Sequence, residues 1–171
     1  MGISRPFPNS VNEQLTGNMI TRLYRPPEIL FGSKHYNQSV DMWSFGCTIA
    51  ELFLSQNKKH FFHANSEIEQ LCVIFQIRGA ANESNWTDCT KLSLYMDFQD
   101  LQAQDLQELI PNAPKECIQI IDQLLQLDPK KRSDINKVIY YIFQKKQFYI
   151  FFLRFQRING QMKMKKKGQI N

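Results

Sequence analysis

The chain has 171 residues, is 43% hydrophobic and carries a formal net charge of +5, with a sequence pI of about 9.0. These values suit one globular domain with a buried core, and the four cysteines form neither a C-x-x-C pair nor a zinc-type spacing. The cysteines are therefore expected to be unpaired thiols in the core of a protein from a reducing compartment. Much of the positive charge lies in the terminal KMKKKGQIN, so it is weak evidence for nucleic acid.

The first element in chain order is a short helix. Residues 1–20 hold turn-forming residues without periodicity and are predicted to form a loop. The following RPPEILFG predicts a helical turn, because Pro27 suits a first helical position and Glu28 suits the positive end of the helix dipole. Gly32 suits the position just after the last helical residues.

The second element, SVDMWSFGCTIAELF, is apolar around most of its helical circumference. A helix that is apolar on all sides lies in the centre of a fold, so a buried central helix is predicted. Asp41 near its start is notable, because a buried carboxylate needs several hydrogen-bond donors. The alternative is that Asp41 stands at the mouth of the helix and caps backbone amides.

Three amphipathic segments predict the remaining helices. Residues 65–79 open with Ser66 and Glu69 at capping-box spacing, and residues 114–127 and 134–143 repeat the helical period. The predicted apolar faces comprise Ile68, Leu71, Cys72 and Phe75; Cys117, Ile120, Ile121, Leu124 and Leu125; and Ile135, Val138, Ile139, Ile142 and Phe143.

The segment after the first of these three patterns, residues 80–112, is polar and irregular. A segment of this length inside a compact domain is typically functional or specific to a family. The candidate anchors within it are Trp86, Leu94, Tyr95 and Phe98. The coarse prediction is a mainly α chain with almost no strand signal and no internal repeat.

Four motifs follow one another along the chain: TRLYRPPEILFG, SVDMWSFGCTIAEL, NSEIEQLCVIFQIRG and LLQLDPKKRS. In this order and at these separations they resemble the C-terminal lobe of eukaryotic protein kinases. The likeness is strongest to the cyclin-dependent kinases and their relatives in the CMGC group, and it covers residues 2–144. It implies the mainly α, C-terminal helical lobe of the protein kinase fold, lacking the N-lobe and the catalytic loop.

The resemblance also implies a division of the chain into three parts. Residues 1–32 are similar to the end of an activation segment with its substrate-pocket loop. Residues 33–145 resemble the helices of the lobe, with a CMGC-type insert at about 80–112. Residues 146–171 are a basic, aromatic tail of unclear status, read as a genuine extension, a partner helix or translated non-coding sequence.

Two residues are implied to form a structural ion pair. Glu28 matches the glutamate of the family's A-P-E motif, and Arg132 matches the arginine of D-P-x-x-R. In the family these residues tie the activation segment to the lobe, and a guanidinium and a carboxylate can pair bidentately. The alternative is a pair of unconnected surface charges.

Two residues are implied to serve the substrate pocket. Thr21 matches the family threonine that bonds the catalytic aspartate and the phosphate-binding lysine. Arg25 matches the arginine that shapes the pocket for the residue after the phosphorylated one, which implies proline-directed serine or threonine substrates. Leu23 replaces the usual tryptophan of this loop.

Two further residues receive roles from the resemblance. Thr16 lies at the family spacing for an activating phosphothreonine, although Leu15 stands where tyrosine is usual and Arg5 is the one matching phosphate partner. The alternative for Thr16 is an ordinary loop threonine. Asp41 matches the aspartate that anchors the backbone of the catalytic loop.

The 171 residues contain no G-x-G-x-x-G, no H-R-D and no D-F-G. No catalytic, cofactor-binding or metal-binding residue is therefore assigned, whereas a complete family member uses ATP and Mg. We expect a piece of a cyclin-dependent-like serine/threonine kinase that is inactive alone, and whether the chain is an enzyme stays open. The alternative is a non-catalytic kinase-lobe interaction module.

The resemblance implies protein substrates and names a cyclin as the candidate regulatory partner. It implies neither nucleic acid nor a membrane as a binding partner. The terminal FYIFFL is too short to span a bilayer. No signal-peptide pattern opens the chain, so an intracellular location, in the nucleus or cytoplasm, is expected.

Overall fold

The computed structural model of the chain describes residues 20–55, 58–99 and 101–144, with side chains through residue 141. The candidate phosphorylation site Thr16 and the tail of residues 146–171 therefore lie outside the described residues. So does the predicted loop at the start of the chain, apart from Ile20. The chain divides into two units, Met1–Ser133 and Asp134–Asn171.

The regular secondary structure of the described residues is helical, as predicted. The helices are α1 (Pro27–Leu30), α2 (Ser39–Glu51), α3 (Glu67–Arg78), α4 (Leu106–Leu109), α5 (Lys115–Leu124) and α6 (Ile135–Gln144), with 3₁₀ turns at Arg22–Tyr24 and Cys89–Lys91. No strand occurs within the described ranges, which hold one isolated antiparallel bridge between Arg78 and Ala103. This confirms the mainly α lobe.

The core of the first unit is built on close packing between α2 and α5. Gly46 permits this approach, because a Cβ atom there would lie 2.8 Å from Leu124 Cβ and 2.9 Å from Leu125 Cδ2. Both leucines are fully buried. A side chain of any size at position 46 would therefore force the two helices apart.

The central helix α2 is less buried than the sequence predicts. Trp43 is completely buried and stacks on Phe62 with ring centroids 5.5 Å apart. Asp41, Phe45 and Thr48 are exposed and share one helical stripe at i, i+4 and i+7. The prediction of an all-round buried helix with a buried Asp41 is wrong, because α5 and Phe62 cover only part of its circumference.

The short helix α1 ends in the way that its glycine predicts. Gly32 adopts a φ of 80°, and its N–H donates to the Ile29 carbonyl at 3.0 Å. The N–H of Ser33 donates to the Glu28 carbonyl at 2.9 Å, which completes a Schellman motif. This tight stop leaves Glu28 buried within the single turn of α1.

Helix α3 begins at the predicted cap but turns a different face inward. Ser66 Oγ accepts a hydrogen bond from the Glu69 N–H at 3.1 Å, and Glu69 Oε2 accepts one from the Asn65 N–H at 2.8 Å. Ile68, predicted to lie on the apolar face, is 59% exposed, whereas Gln70 is fully buried. Gln70 points inward because its side-chain amide donates to a carbonyl of the loop before α1.

The predicted insert, residues 80–112, is attached to α1 and α3 through an aromatic cluster. Phe31 is fully buried and contacts Phe75, Trp86 and Tyr95 with ring centroids 5.4–5.9 Å apart. Leu94, a predicted anchor, is instead 57% exposed. The segment before α4 thus turns Tyr95 inward and leaves Leu94 in solvent. The remaining predicted anchor, Phe98, packs on Phe75.

Helix α5 buries the predicted face of Cys117, Ile120, Ile121, Leu124 and Leu125. In α6 the prediction holds less well, because Val138 is buried while Ile135 and Ile139 are exposed. None of the four cysteines, all of which lie among the described residues, forms a disulfide, and burial raises the pKa of the Cys47 thiol well above its ordinary value. A buried protonated thiol of this kind is a packing group.

Candidate functional site

The two charges predicted to pair lie in contact in the core. Arg132 Nη1 donates to Glu28 Oε1 and Arg132 Nη2 donates to Glu28 Oε2, each at 2.6 Å. The Arg132 side chain is 0% exposed and that of Glu28 is 5% exposed. The arrangement is the parallel, bidentate one that the planar guanidinium favours.

Every N–H of the Arg132 guanidinium has an acceptor. Besides the two bonds to Glu28, Nε donates to the Gln126 carbonyl at 2.7 Å, and the remaining Nη protons reach the carbonyls of Ser39 and Leu127 at 3.1 Å. The guanidinium carbon also lies 5.0 Å from the centroid of the Trp43 ring. Arg132 therefore joins α1, the start of α2 and the turn after α5.

The loop of residues 20–25, which is the predicted substrate-pocket loop, is closed by Arg25. Arg25 Nε donates to the Ile20 carbonyl at 2.7 Å, and Nη1 donates to Glu67 Oε1 at 2.5 Å. The Arg25 side chain is 13% exposed, whereas that of Glu67 is 53% exposed. The arginine thus lies against the loop, with the glutamate on its solvent side.

Helices α2 and α3 hold the same loop by its backbone and by Tyr24. Gln70 Nε2 donates to the Leu23 carbonyl at 3.3 Å, and Ser44 Oγ lies 2.9 Å from the Tyr24 carbonyl. The Tyr24 hydroxyl donates to Glu51 Oε2 at 3.0 Å. The side chain at Leu23 is smaller than the family's tryptophan, and these polar contacts fix the loop independently of it.

Glu51 binds several neighbouring groups through hydrogen bonds that the sequence did not predict. Its Oε1 accepts a hydrogen bond from the Phe61 N–H at 3.1 Å and lies 3.3 Å from His60 Nδ1. Burial, followed by the hydrogen bond to Glu51, raises the pKa of Tyr24 from 10.0 to about 12. A carboxylate at the end of an apolar helix pattern is a sequence signal of a hydrogen-bonding site, because a partly buried charge costs free energy unless donors surround it.

Of the other predicted site residues, Thr21 belongs to the loop of residues 20–25, where its carbonyl accepts a hydrogen bond from the Tyr24 N–H at 2.9 Å. Thr21 is exposed and precedes the 3₁₀ turn without capping it through its side chain. Asp41 lies exposed in the first turn of α2, so its predicted burial is corrected while its anchoring role stays a prediction. Thr16 is outside the described residues.

The described residues offer no group of three His, Cys, Asp or Glu side chains that could hold a metal ion. Among the same residues, no helix has both the length and the apolar character needed to cross a membrane. Among the described residues, Arg25 closes the loop of residues 20–25, and the Glu28–Arg132 pair fixes helix α1, which follows that loop.

A helical lobe whose short Pro-Pro-Glu helix is tied to a distant arginine defines the C-terminal lobe of a protein kinase. The family model described as "Protein kinase domain" matches residues 1–143. The chain therefore belongs to the protein kinase domain family. More specifically, its relatives place it among the cyclin-dependent-kinase-like serine/threonine kinases of the CMGC group.

Three curated relatives illustrate the likeness. The chain is 34% identical over 138 residues to cyclin-dependent kinase D-1 of Arabidopsis thaliana, covering 81% of this chain and 34% of the relative. It is 38% identical over 133 residues to cyclin-dependent kinase C-1 of Oryza sativa subsp. japonica, covering 77% of this chain and 25% of the relative. It is 32% identical over 140 residues to cyclin-dependent kinase 20 of Pongo abelii, and the match covers 81% of this chain and 40% of the relative.

A solved structure shares the fold. The structure of the CAK complex from Chaetomium thermophilum bound to ATP-gamma-S matches with a TM-score of 0.66 and 34% sequence identity. The match covers 73% of this chain and 39% of that chain. The chain thus spans about two fifths or less of the length of each of these four proteins.

Proposed function

We propose that the chain is the substrate-binding helical lobe of a cyclin-dependent-kinase-like enzyme. The complete enzyme phosphorylates serine or threonine residues that are followed by proline. The observation that carries this proposal is the hydrogen bond from Arg25 Nε to the Ile20 carbonyl, 2.7 Å long, within the substrate-pocket loop. Protein substrates are thus the ligands of this loop.

The preference for proline follows from hydrogen bonding. In this proposal the Ile20 carbonyl, which accepts the hydrogen bond from Arg25, is turned away from a peptide that lies across the loop. A substrate residue with an N–H loses its water there and gains no acceptor, which costs about 1–3 kcal/mol. Proline carries no N–H and avoids this cost.

Phosphoryl transfer belongs to the complete enzyme in this proposal, with ATP and Mg as its cofactors. The 171 residues contain neither a Gly-rich phosphate loop nor the H-R-D and D-F-G motifs. Positioning and electrostatic stabilisation by those parts supply nearly all of the catalysis. The polypeptide alone is therefore proposed to be inactive.

Two measurements test the proposal. The expressed chain, incubated with radiolabelled ATP, Mg and a Ser-Pro peptide, is expected to transfer no phosphate above a protein-free blank. The same chain is expected to bind a fluorescent Ser-Pro peptide more tightly than the matching Ser-Ala peptide. Equal binding of the two peptides would contradict the proline preference, and measurable transfer would contradict inactivity.

One observation favours the alternative of a non-catalytic interaction module. An isolated lobe is expected to expose apolar surface around Trp43 and Phe45. Phe45 is exposed, but Trp43 is fully buried. A lobe that buries its central tryptophan among its own residues exposes less apolar surface for aggregation. Cooperative urea unfolding of the soluble chain would support the module, and aggregation without a transition would count against it.

The remaining expectations are part of the proposal. A cyclin is the proposed regulatory partner, and the nucleus or cytoplasm is the proposed location. Phosphorylation of Thr16 is proposed to activate the complete enzyme. Mass spectrometry of the protein from its native cells, with a Thr16→Ala variant as control, tests the modification.

A further inference from the structure

We propose that Glu67 is a positioning residue that sets the selectivity of the substrate-pocket loop for proline. Glu67 acts through Arg25, which it holds on the Ile20 carbonyl. This inference rests on the function proposed above and names the residue that maintains its selectivity. Glu67 itself is not proposed to touch the residue that follows the phosphorylated one.

The geometry divides the Arg25 guanidinium between two partners. Nε donates to the Ile20 carbonyl at 2.7 Å, and Nη1 donates to Glu67 Oε1 at 2.5 Å. The first bond is to a neutral acceptor, and the second is a charge-assisted bond to a carboxylate, which is the stronger type. The Glu67 bond therefore determines where the long, flexible arginine side chain rests.

Glu67 is well fixed for this task although its side chain is 53% exposed. It lies in the first turn of α3, where the Ser66 cap orders the backbone and where the helix dipole favours a negative charge. Gln70 of the same helix bonds the Leu23 carbonyl at 3.3 Å, so α3 and the substrate-pocket loop are joined at two places.

Loss of the Glu67 carboxylate would leave Arg25, a largely buried cation, with a carbonyl as its remaining described acceptor. A charged side chain in that position gains free energy by moving into water. Its departure frees the Ile20 carbonyl, which can then accept the N–H of a bound peptide. The loop would consequently accept residues other than proline.

The test measures binding of three fluorescent peptides to the full chain by anisotropy. The peptides differ in the residue after serine, which is proline, N-methyl-alanine or alanine. N-methyl-alanine lacks the N–H but has no ring, so it separates hydrogen bonding from ring packing. The wild-type chain is expected to bind the proline and N-methyl-alanine peptides about tenfold more tightly than the alanine peptide.

In Glu67→Ala and Glu67→Gln, the alanine peptide is expected to gain affinity until the ratio falls below about threefold. Affinity for the proline peptide should change by less than about twofold, because no contact to proline is removed. A merely structural role would instead weaken all three peptides together. Glu108→Gln, an exposed first-turn glutamate of α4, is the matched control and should keep the wild-type ratio.

A second measurement on the same proteins does not depend on peptide binding. The Arg25 Nε–H resonance, identified by its loss in Arg25→Lys, is expected to be protected from solvent exchange in the wild type and unprotected in Glu67→Ala. A Glu67 variant that keeps both the protection and the proline preference overturns this inference alone. Wild-type chain that shows no proline preference overturns the proposed function, and the inference with it.

Discussion

The Glu28 carboxylate and the Arg132 guanidinium form two parallel hydrogen bonds, each 2.6 Å long, across a separation of 104 residues. Both side chains are buried, and the remaining Arg132 donors reach three backbone carbonyls. Burial of a charge pair contributes to stability only when the donors and acceptors are satisfied, as they are here. The pair therefore joins α1 to the turn that follows α5.

We expect Glu28→Ala and Arg132→Ala each to lower the free energy of unfolding by about 3–5 kcal/mol, because each strands a buried charge. The double variant should lose clearly less than the sum of the two. Urea denaturation of the four proteins in a double-mutant cycle measures this coupling. Lys130→Ala, an exposed neighbour, should stay within about 0.5 kcal/mol of the wild type. Additive losses at Glu28 and Arg132 would show that the pair carries no coupling.

Gly46→Ala is expected to destabilise the chain by about 1–3 kcal/mol through overpacking. The new methyl group would lie 2.8 Å from Leu124 Cβ, and neither α2 nor α5 can move without disturbing the core. Thr48→Ala on the exposed stripe of α2 is the control and should be close to neutral. A neutral or stabilising Gly46→Ala in thermal or urea unfolding would mean that the two helices are less closely packed.

The raised pKa of Tyr24 predicts a loss of stability at alkaline pH. The pKa of its hydroxyl is about 12 in the folded chain against 10.0 for an unperturbed tyrosine, so the folded state holds this proton more tightly. The stabilising contribution is complete below pH 10 and disappears as pH rises from 10 to 12.

Tyr24→Phe has no hydroxyl to ionise, so it should not lose stability through this group as the pH rises. The difference in the free energy of unfolding between wild type and variant should therefore narrow above pH 10. Urea unfolding at pH 8, 10 and 11 measures it, and ultraviolet titration of tyrosinate should lose one group near pH 12 in the variant. A Tyr24 hydroxyl that titrates near pH 10 would contradict the burial of Tyr24 and its hydrogen bond to Glu51.

Phe31→Ala is expected to cost about 3–5 kcal/mol, because it empties the centre of the aromatic cluster. Phe31 contacts Trp86 and Tyr95 of the insert, so hydrogen exchange in residues 80–99 should also accelerate. Leu94→Ala, at a site that is 57% exposed, should leave both stability and exchange nearly unchanged. An insert that keeps its protection in Phe31→Ala would be anchored elsewhere.

Local features were predictable from sequence because their causes are local. Gly32 ends α1 since a glycine adopts positive φ without strain, and Ser66 begins α3 since its hydroxyl accepts a bond from an amide three residues on. The face of α5 follows from the spacing of its apolar residues. None of these needs knowledge of a distant contact.

Errors arose where a neighbour decides which side of a helix is inside. Ile68 is exposed and Gln70 is buried, because Gln70 meets the Leu23 carbonyl of the substrate-pocket loop. Asp41 is exposed, because the elements packed on α2 leave one stripe uncovered. The hydrogen bonds of Glu51 were not predicted, because its partners Tyr24 and Phe61 come from two different segments of the chain.

The amino-acid sequence by itself determined the helices other than the short α4, the cap of α3 and the kinase family, because helical periodicity, turn chemistry and ordered motifs are properties of neighbouring residues. Helix α4 lies within residues 80–112, which the sequence predicted to be irregular. The sequence also indicated that Glu28 and Arg132 were candidates to pair. Only the tertiary structure decided that Arg25 lies between Ile20 and Glu67. The physical reason is that a hydrogen bond depends on distance and direction in space, which packing sets between residues far apart in the chain.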